Sequence, residues 1–358
     1  MSVTELLPEP RVVAAPSNRL LDLAAQDAGA LLAAALGAAL ADGDDALIRA
    51  ALCGGPPATV RRVWQALAAA IDEGGDGVGL HLFAIPLVIV AGARTPLTLP
   101  GAIPEVSNIT ALLEQHGAVG ATRNFGLGNA LCGTAALETL SPCGLWRAVR
   151  DPAERAVADT LTPEPLAVGP GREQVHLRFL IGAGVTPQHL PSFLESASNI
   201  GTWGMPLTLE LTRQLAQPGL EVLPMPRPPQ PLVRAAYLGR AAQLEAALSL
   251  FLSNNVRRFS MSVGDPDAVL SAHALGAGAG ELRLSLSSPF DESMLEGFCW
   301  PLHAMDDLDE ITQLFQHALA DFRILAPRLV AEVMPARSPS GSSFIGQSSI
   351  KDLASARH

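Results

Sequence analysis

The densest group of residue types able to do chemistry is Gly117-Ala118-Val119-Gly120-Ala121-Thr122-Arg123-Asn124-Phe125-Gly126-Leu127-Gly128-Asn129. Glycines let a backbone approach a ligand closely, and the helical pattern read at 127–140 would offer free N–H groups to an anion. Thr122 and Asn129 stand as ligand-binding candidates. Arg123 and Asn124 stand as catalytic candidates with Cys132, one turn into that helix, where a thiol is acidified. The same residues also read as a tight turn between two helices with asparagines as caps. A dinucleotide fingerprint fails on context, because a helix rather than a strand precedes the glycines. A second polar group, Ser196-Ala197-Ser198-Asn199-Ile200-Gly201-Thr202-Trp203-Gly204-Met205-Pro206, adds Asn199 and Trp203 as ligand-binding candidates. Its plain reading is a helix junction, with Pro206 in the first turn of the next helix.

Other chemistries lack their spacing. The eight histidines include no H-x-x-x-H or H-E-x-x-H pair, so no local zinc motif is present and no metal site is expected. His81 and His176 fall on buried strands, where a hydrogen-bonded core histidine is the expectation. His303 precedes Asp306-Asp307, which read as helix caps or as its carboxylate partners. Asp72-Glu73-Gly74-Gly75-Asp76-Gly77 lacks the ordered ligand positions of a calcium loop. There is no G-x-S-x-G elbow. Lys351 is the only lysine, which excludes a Schiff-base or P-loop lysine from the body of the chain. No cofactor is called for by any motif. Tyr237, the only tyrosine, lies on an apolar helix stripe.

Composition narrows the class further. The chain has 358 residues, 48% hydrophobic and 16% charged, with a net charge of −11. That can bury a large core, and it argues against a nucleic-acid or anionic-membrane partner. Cys53, Cys132, Cys143 and Cys299 are scattered without C-x-x-C spacing, which reads as four reduced thiols in a cytoplasmic protein. The first residues lack the basic flank and apolar core of a signal peptide. The apolar stretches 28–41 and 78–93 are too short or too interrupted for a membrane span.

The elements that must position these residues follow from periodicity. Residues 1–75 read as a helical N-terminal subdomain, with helices from Ser17 or Asn18 to Ala41, from Asp44-Asp45 to Gly54, and from Thr59 to Glu73. The first is apolar almost all round and requires cover on most sides. Residues 76–161 form a first strand–helix half. It opens with a strand over Val78–Ala93, bulged or at an edge because Pro86 lacks a ladder donor, and continues with helices at 105–116, 127–140 and 143–159. A Pro/Gly break at 162–172 leads to a second α/β half, 173–334. Here a strand at Val175–Ile181 precedes helices at 187–198 and 205–217 and a short strand at 220–224. A long helix over Leu232–Asn254 carries Tyr237, Ala241, Leu244, Leu248 and Phe251 on one face. Then come a strand at Arg258–Val263, a helix from Asp265-Pro266-Asp267, a half-buried strand at Glu281–Ser287, a helix at Asp306–Ala320 and a strand at Ile324–Val333. Residues 335–358 form a flexible, partner-bound or disordered tail in which Phe344, Ile345 and Leu353 are partner-binding candidates.

A weak recurrence between the halves reads either as a duplicated strand–helix unit or as chance resemblance of short strings. His81-Leu82-Phe83 and Ser107-Asn108-Ile109 recur as His176-Leu177-Arg178-Phe179 and Ser198-Asn199-Ile200, displaced by 95 and 91 positions. The expected fold is α/β or α+β: a mixed sheet with flanking helices, a helical N-terminal subdomain and a C-terminal tail. Two functions remain open. One is a non-catalytic interaction or assembly protein, homo-oligomeric or bound to a protein partner through apolar surface and tail. The other is an enzyme of unknown reaction whose pocket collects the 122–132 and 198–204 loops.

Overall fold

The computed structural model of the chain describes residues 18–72, 79–92, 96–118, 123–134, 141–150, 165–171, 173–186, 200–224, 229–262, 264–276, 279–291, 293–325 and 327–330. Thr122, Asn199, the helix expected at 187–198, and the tail with Phe344, Ile345 and Leu353 lie outside them. Residues 18–72 are helical: α1 (Arg19–Ala25), α2 (Gly29–Asp42), α3 (Asp45–Cys53) and α4 (Pro57–Asp72). The single helix expected up to Ala41 is two, because the chain breaks at Asp27, whose φ is 55°. Arg62 stabilises the break by donating to the Ala24 carbonyl at 2.7 Å. Asn18 caps α1 through the Leu20 N–H. The all-round cover expected for the first helix is not needed. In α2 Leu32, Leu36, Ala39 and Leu40 are buried, and the outward face is mostly alanine.

Mixed α and β structure follows: β1 (Gly79–Ala91), β2 (Leu97–Leu99), α5 (Val106–Gln115), β3 (Arg123–Cys132), α6 (Pro142–Arg150), β4 (Leu166–Val168), β5 (Gln174–Thr186), α7 (Ile200–Gln214), β6 (Leu220–Val222), β7 (Gln230–Pro231) and α8 (Leu232–Ser262). The chain closes with β8 (Asp267–Gly276), β9 (Ala279–Ser287), β10 (Leu295–Pro301), α9 (Leu308–Asp321) and β11 (Arg328–Val330). It divides into a larger unit, residues 17–52 and 62–243, and a smaller one, 53–61 and 244–358 with 1–16.

In the larger unit β1 and β5 pair antiparallel without a break, from Gly79↔Thr186 to Ala91↔Gln174. β3 adds to the free side of β5, and β6 and β7 add to β1. β1 is therefore central and unbulged. Pro86 lies between the stretch paired by β7 (Phe83–Ala84) and the one paired by β6 (Ile89–Ala91), so no ladder partner is asked for its missing N–H there. Phe83, Ile85, Leu87 and Ile89 share one face with Leu180 and pack on Ile109 and Leu113 of α5 and on Trp203, Leu207 and Leu211 of α7. The helix expected at 205–217 starts five residues earlier. Pro206 therefore sits inside α7. The buried side of that helix, Trp203, Leu207 and Leu211, offsets the lost backbone bond.

The largest correction is at 123–132, expected as loop and helix but found as β3. Gly126 and Gly128 each cost a helix about 1 kcal/mol, and the strand is admitted by close approach to a glycine of β5. A Cβ on Gly182 of β5 would meet the Phe83 ring and stand 2.8 Å from the Gly126 oxygen and from Leu127. Register shifts between Arg123 and Gly126 and between Leu127 and Leu131 mark bulges at the same place.

The smaller unit holds the sheet β10-β9-β8-β11, antiparallel except for the β11·β8 pair. Two expectations reverse here. Arg258–Val263 is not a strand, since α8 continues to Ser262 with Asn255, Val256 and Phe259 buried. Asp265-Pro266-Asp267 starts no helix but leads into β8, where Ala268, Leu270 and Ala272 are buried at period two. Of the expected α8 stripe, Leu244, Leu248 and Phe251 are buried, whereas Tyr237 and Ala241 are only half-buried. Leu282, Leu284 and Leu286 of β9 face Phe298 and Trp300 of β10, which stack on Phe315 of α9 with centroids 6.1 and 5.7 Å away.

Candidate functional sites

The residues singled out at 122–132 and 198–204 do not make one site. Cys132 lies opposite Phe179 in the ladder, on the face of β5 that carries Leu177 and Phe179 towards α8, where Gly239 meets both. Trp203 packs on the other face, with Leu180 and Ile85. The sheet stands between them. Both are buried, at 1% exposure. Cys132 ends β3 and so does not lie one turn into a helix, where it was expected. Trp203 is a core residue rather than a lid, and its indole N–H meets no acceptor. Asn129 is exposed on edge strand β3, and its carbonyl accepts the Ile103 N–H at 2.8 Å. Arg123 and Asn124 start β3, at its bulged end.

The histidines resolve into local roles. His176 and Arg178 lie opposite Ile89 and Leu87, on the face that receives α5 and α7. Burial, with help from the Arg178 charge, lowers the His176 pKa, and its Nε2 makes no hydrogen bond; the hydrogen-bonded core histidine expected there is not formed. His303 gives its backbone N–H to Asp306 at 2.9 Å, and Asp307 caps α9 through the Asp309 and Glu310 N–H groups. The helix-capping reading of the aspartates holds.

A polar constellation that the sequence reading missed lies on the smaller sheet. Ser271, Arg283 and Cys299 form one cross-strand row, and His273, Glu281 and Pro301 the next. The Cys299 thiol donates to Glu281 Oε2 at 2.8 Å, Arg283 pairs with the other carboxylate oxygen, and Ser271 Oγ lies 2.8 Å from His273 Nε2. Burial, then the Glu281 hydrogen bond and charge, push the Cys299 pKa far up. The thiol is held protonated, which unfits it as a nucleophile. Period-two polarity at 281–287 was the signal for this row. Reading β8 as a helix hid its register.

Cys143 is also held protonated. Burial and the Asp45 carboxylate push its pKa up to about 12. Asp45 accepts the Cys143 N–H at 3.0 Å, at the start of α6, where Ser141 caps Gly144 at 2.9 Å. Burial works to raise the Asp45 pKa, but the hydrogen bonds from Cys143 and Ser141 and the Arg49 charge bring it below its ordinary value. Where α5 begins and α7 ends, Arg213 binds Glu105 and Glu210. Its hydrogen bond, with that of Gln214, takes the Glu210 pKa down to about 2.

Apolar exposure is uneven. In the smaller unit Met261, Phe290 and Leu325 are 78%, 82% and 82% exposed, and Leu295 is exposed beside them in the chain order of the sheet. Met261 ends α8 just before β8. Phe290 lies in the β9–β10 turn, Leu295 begins β10, and Leu325 precedes β11. Since Asp267 pairs Ser287, Leu295 pairs Ser287, and Arg328 pairs Val269, all four stand at one end of the sheet. The exposed Leu31, Met205 and Leu209 belong to the larger unit.

Among the described residues no group of three His, Cys, Asp or Glu side chains could hold a metal ion. No described helix is long and apolar enough to cross a membrane. No protein-family model matches the chain, and comparison with curated proteins and with solved structures finds no match.

Proposed function

We propose that the chain is a non-catalytic interaction or assembly protein of the cytoplasm that associates with a second copy of itself or with a protein partner through the apolar end of its smaller sheet. The observation that carries this reading is the convergence of Met261, Phe290, Leu295 and Leu325 on that end. Large exposed apolar side chains gathered at one end of a sheet are a feature of docking surfaces. Four free cysteines suit a reducing compartment, and the net charge of −11 disfavours nucleic acid. Light scattering over a concentration series tests it. The wild type is expected as a dimer or larger at tens of micromolar, and the combined Met261→Ser, Phe290→Ser and Leu325→Ser variant as a monomer. A monomeric wild type refutes self-association, and an unchanged oligomer in the variant refutes the apolar end as its seat.

A further inference from the structure

α8 and α9 leave an open groove of about 420 Å³ between them. Its lining includes the carboxylates Glu245 of α8 and Glu310 and Asp321 of α9, with His317, and the apolar Leu314 and Ala318. On α9 the residues 310, 314, 317 and 321 recur at helical spacing, so the groove runs along the helix for roughly 16 Å at 1.5 Å per residue. It is too open to enclose a small molecule, and its carboxylates beside apolar lining fit an amphipathic, cationic segment lying lengthwise.

The chain carries such a segment. Within 335–358 Arg337, Lys351 and Arg357 stand against Asp352 alone, a net charge of +2 on a chain whose total is −11. On a helix Ile350, Leu353 and Ala354 would share one face with Arg357 at its far end, and Lys351 would lie to the side. We infer that the segment Ser349–His358 docks in the α8–α9 groove of its own chain, Ile350 and Leu353 on Leu314 and Ala318, Lys351 and Arg357 towards Glu245, Glu310 and Asp321. Nineteen residues separate Val330, the end of β11, from Ile350. An unstructured linker of that length would span about 25 Å on average and would hold the segment near its own unit at an effective concentration on the order of millimolar. Docking deepens the interaction reading by giving the tail a partner, and it stands apart from the apolar end of the sheet.

The test uses the full chain with Leu353→p-benzoylphenylalanine, irradiated and mapped by mass spectrometry in a mixture of isotopically light and heavy chains. Cross-links to α8 residues 245–249 and α9 residues 310–321, joining peptides of like isotope, are the expected result. The yield falls several-fold in high salt and in the combined Glu245→Gln, Glu310→Gln and Asp321→Asn variant. The salt series gives the same readout should that variant fail to fold. Cross-links elsewhere, like–unlike pairs in statistical proportion, or a yield indifferent to both charge and salt overturn the inference. The Met261, Phe290 and Leu325 substitutions leave the cross-link intact, so failure of the apolar end and failure of the groove are separable.

Discussion

Replacing Gly239 with alanine asks whether the first turns of α8 lie as close to the β1–β5 pair as the structure places them. In an ordinary helix interior the substitution gains about 1 kcal/mol, the difference in helix propensity. Here the added methyl would stand 2.9 Å from Pro86 Cβ, 3.0 Å from Phe179 Cε1 and 3.1 Å from Leu177 Cδ1. Pro86 is held in a ring within a central strand, and Leu177 and Phe179 are buried, so none of the three has free space to retreat into. Overpacking of this kind costs about 1–3 kcal/mol, and three simultaneous contacts argue for the upper half of that range. The net expectation is a loss of roughly 1–2 kcal/mol, the difference between those terms. Gly37 of α2 supplies the control. Its added methyl meets nothing within 4 Å, so Gly37→Ala gains the full propensity term, about 1 kcal/mol. Denaturant unfolding of both variants against wild type, followed by far-UV circular dichroism, should place them on opposite sides of it. A Gly239→Ala protein as stable as Gly37→Ala would refute the close packing.

Asp45→Ala should cost about 1 kcal/mol at neutral pH, the worth of a helix-terminus carboxylate. Because the folded pKa is depressed, that contribution is present above the ordinary carboxylate range and is lost as pH falls through the folded value. Unfolding curves at pH 7 and near pH 3 should converge in acid, and a gap that persists there contradicts the assignment. Timed alkylation should label Cys53 first, since Cys132, Cys143 and Cys299 are buried; rapid labelling of a second thiol in the folded protein counts against the packing around it. Phe315→Ala removes the ring between Phe298 and Trp300 and should cost about 3–5 kcal/mol. Hydrogen exchange would show the loss in β8–β10 and α9, and a loss below about 1 kcal/mol in the same class of core site would mean the aromatic cluster is not the core.

Legibility in the sequence followed burial. The strand at 79–91 was readable because it is covered on both faces, so apolar side chains run without interruption. The strand at 281–287 was readable because one face is polar. The caps at Asn18 and Asp307 were readable because capping is local chemistry. β3 was not, since what lets it lie beside β5 is the missing side chain of Gly182, more than fifty positions away, and no local rule in 123–132 reveals it. α8 was cut short because Asn254-Asn255 with Arg257-Arg258 look like a helix end until Glu296 of β10 is seen to pair with Arg258. The candidate site suffered the same way. A Cys–Glu–Arg group assembled by strand register is invisible when one of the strands is misread.

The repeat shows how far a weak sequence signal can be carried. A displacement of 95 equates Ile85 with Leu180, and those two residues are themselves paired, at the middle of the ladder from Gly79↔Thr186 to Ala91↔Gln174. The equivalence is therefore a local two-fold, and it exchanges strands: β3, which follows the first helix, pairs with β5, while β6, which follows the second, pairs with β1. The two ends have nonetheless diverged. Phe83 faces Gly182 at one end, with the Phe125 ring 6.2 Å from Phe83, and at the equivalent place Arg178 faces Leu87, with His176 next on the same face. Glycine at 182 is what admits the full length of β3 beside β5. Arginine at 178 charges the face that phenylalanine keeps apolar at the equivalent position. The two ends of the β1–β5 ladder thus differ in what they bury, an aromatic pair over Gly182 at one and the Arg178 side chain, 4% exposed, at the other.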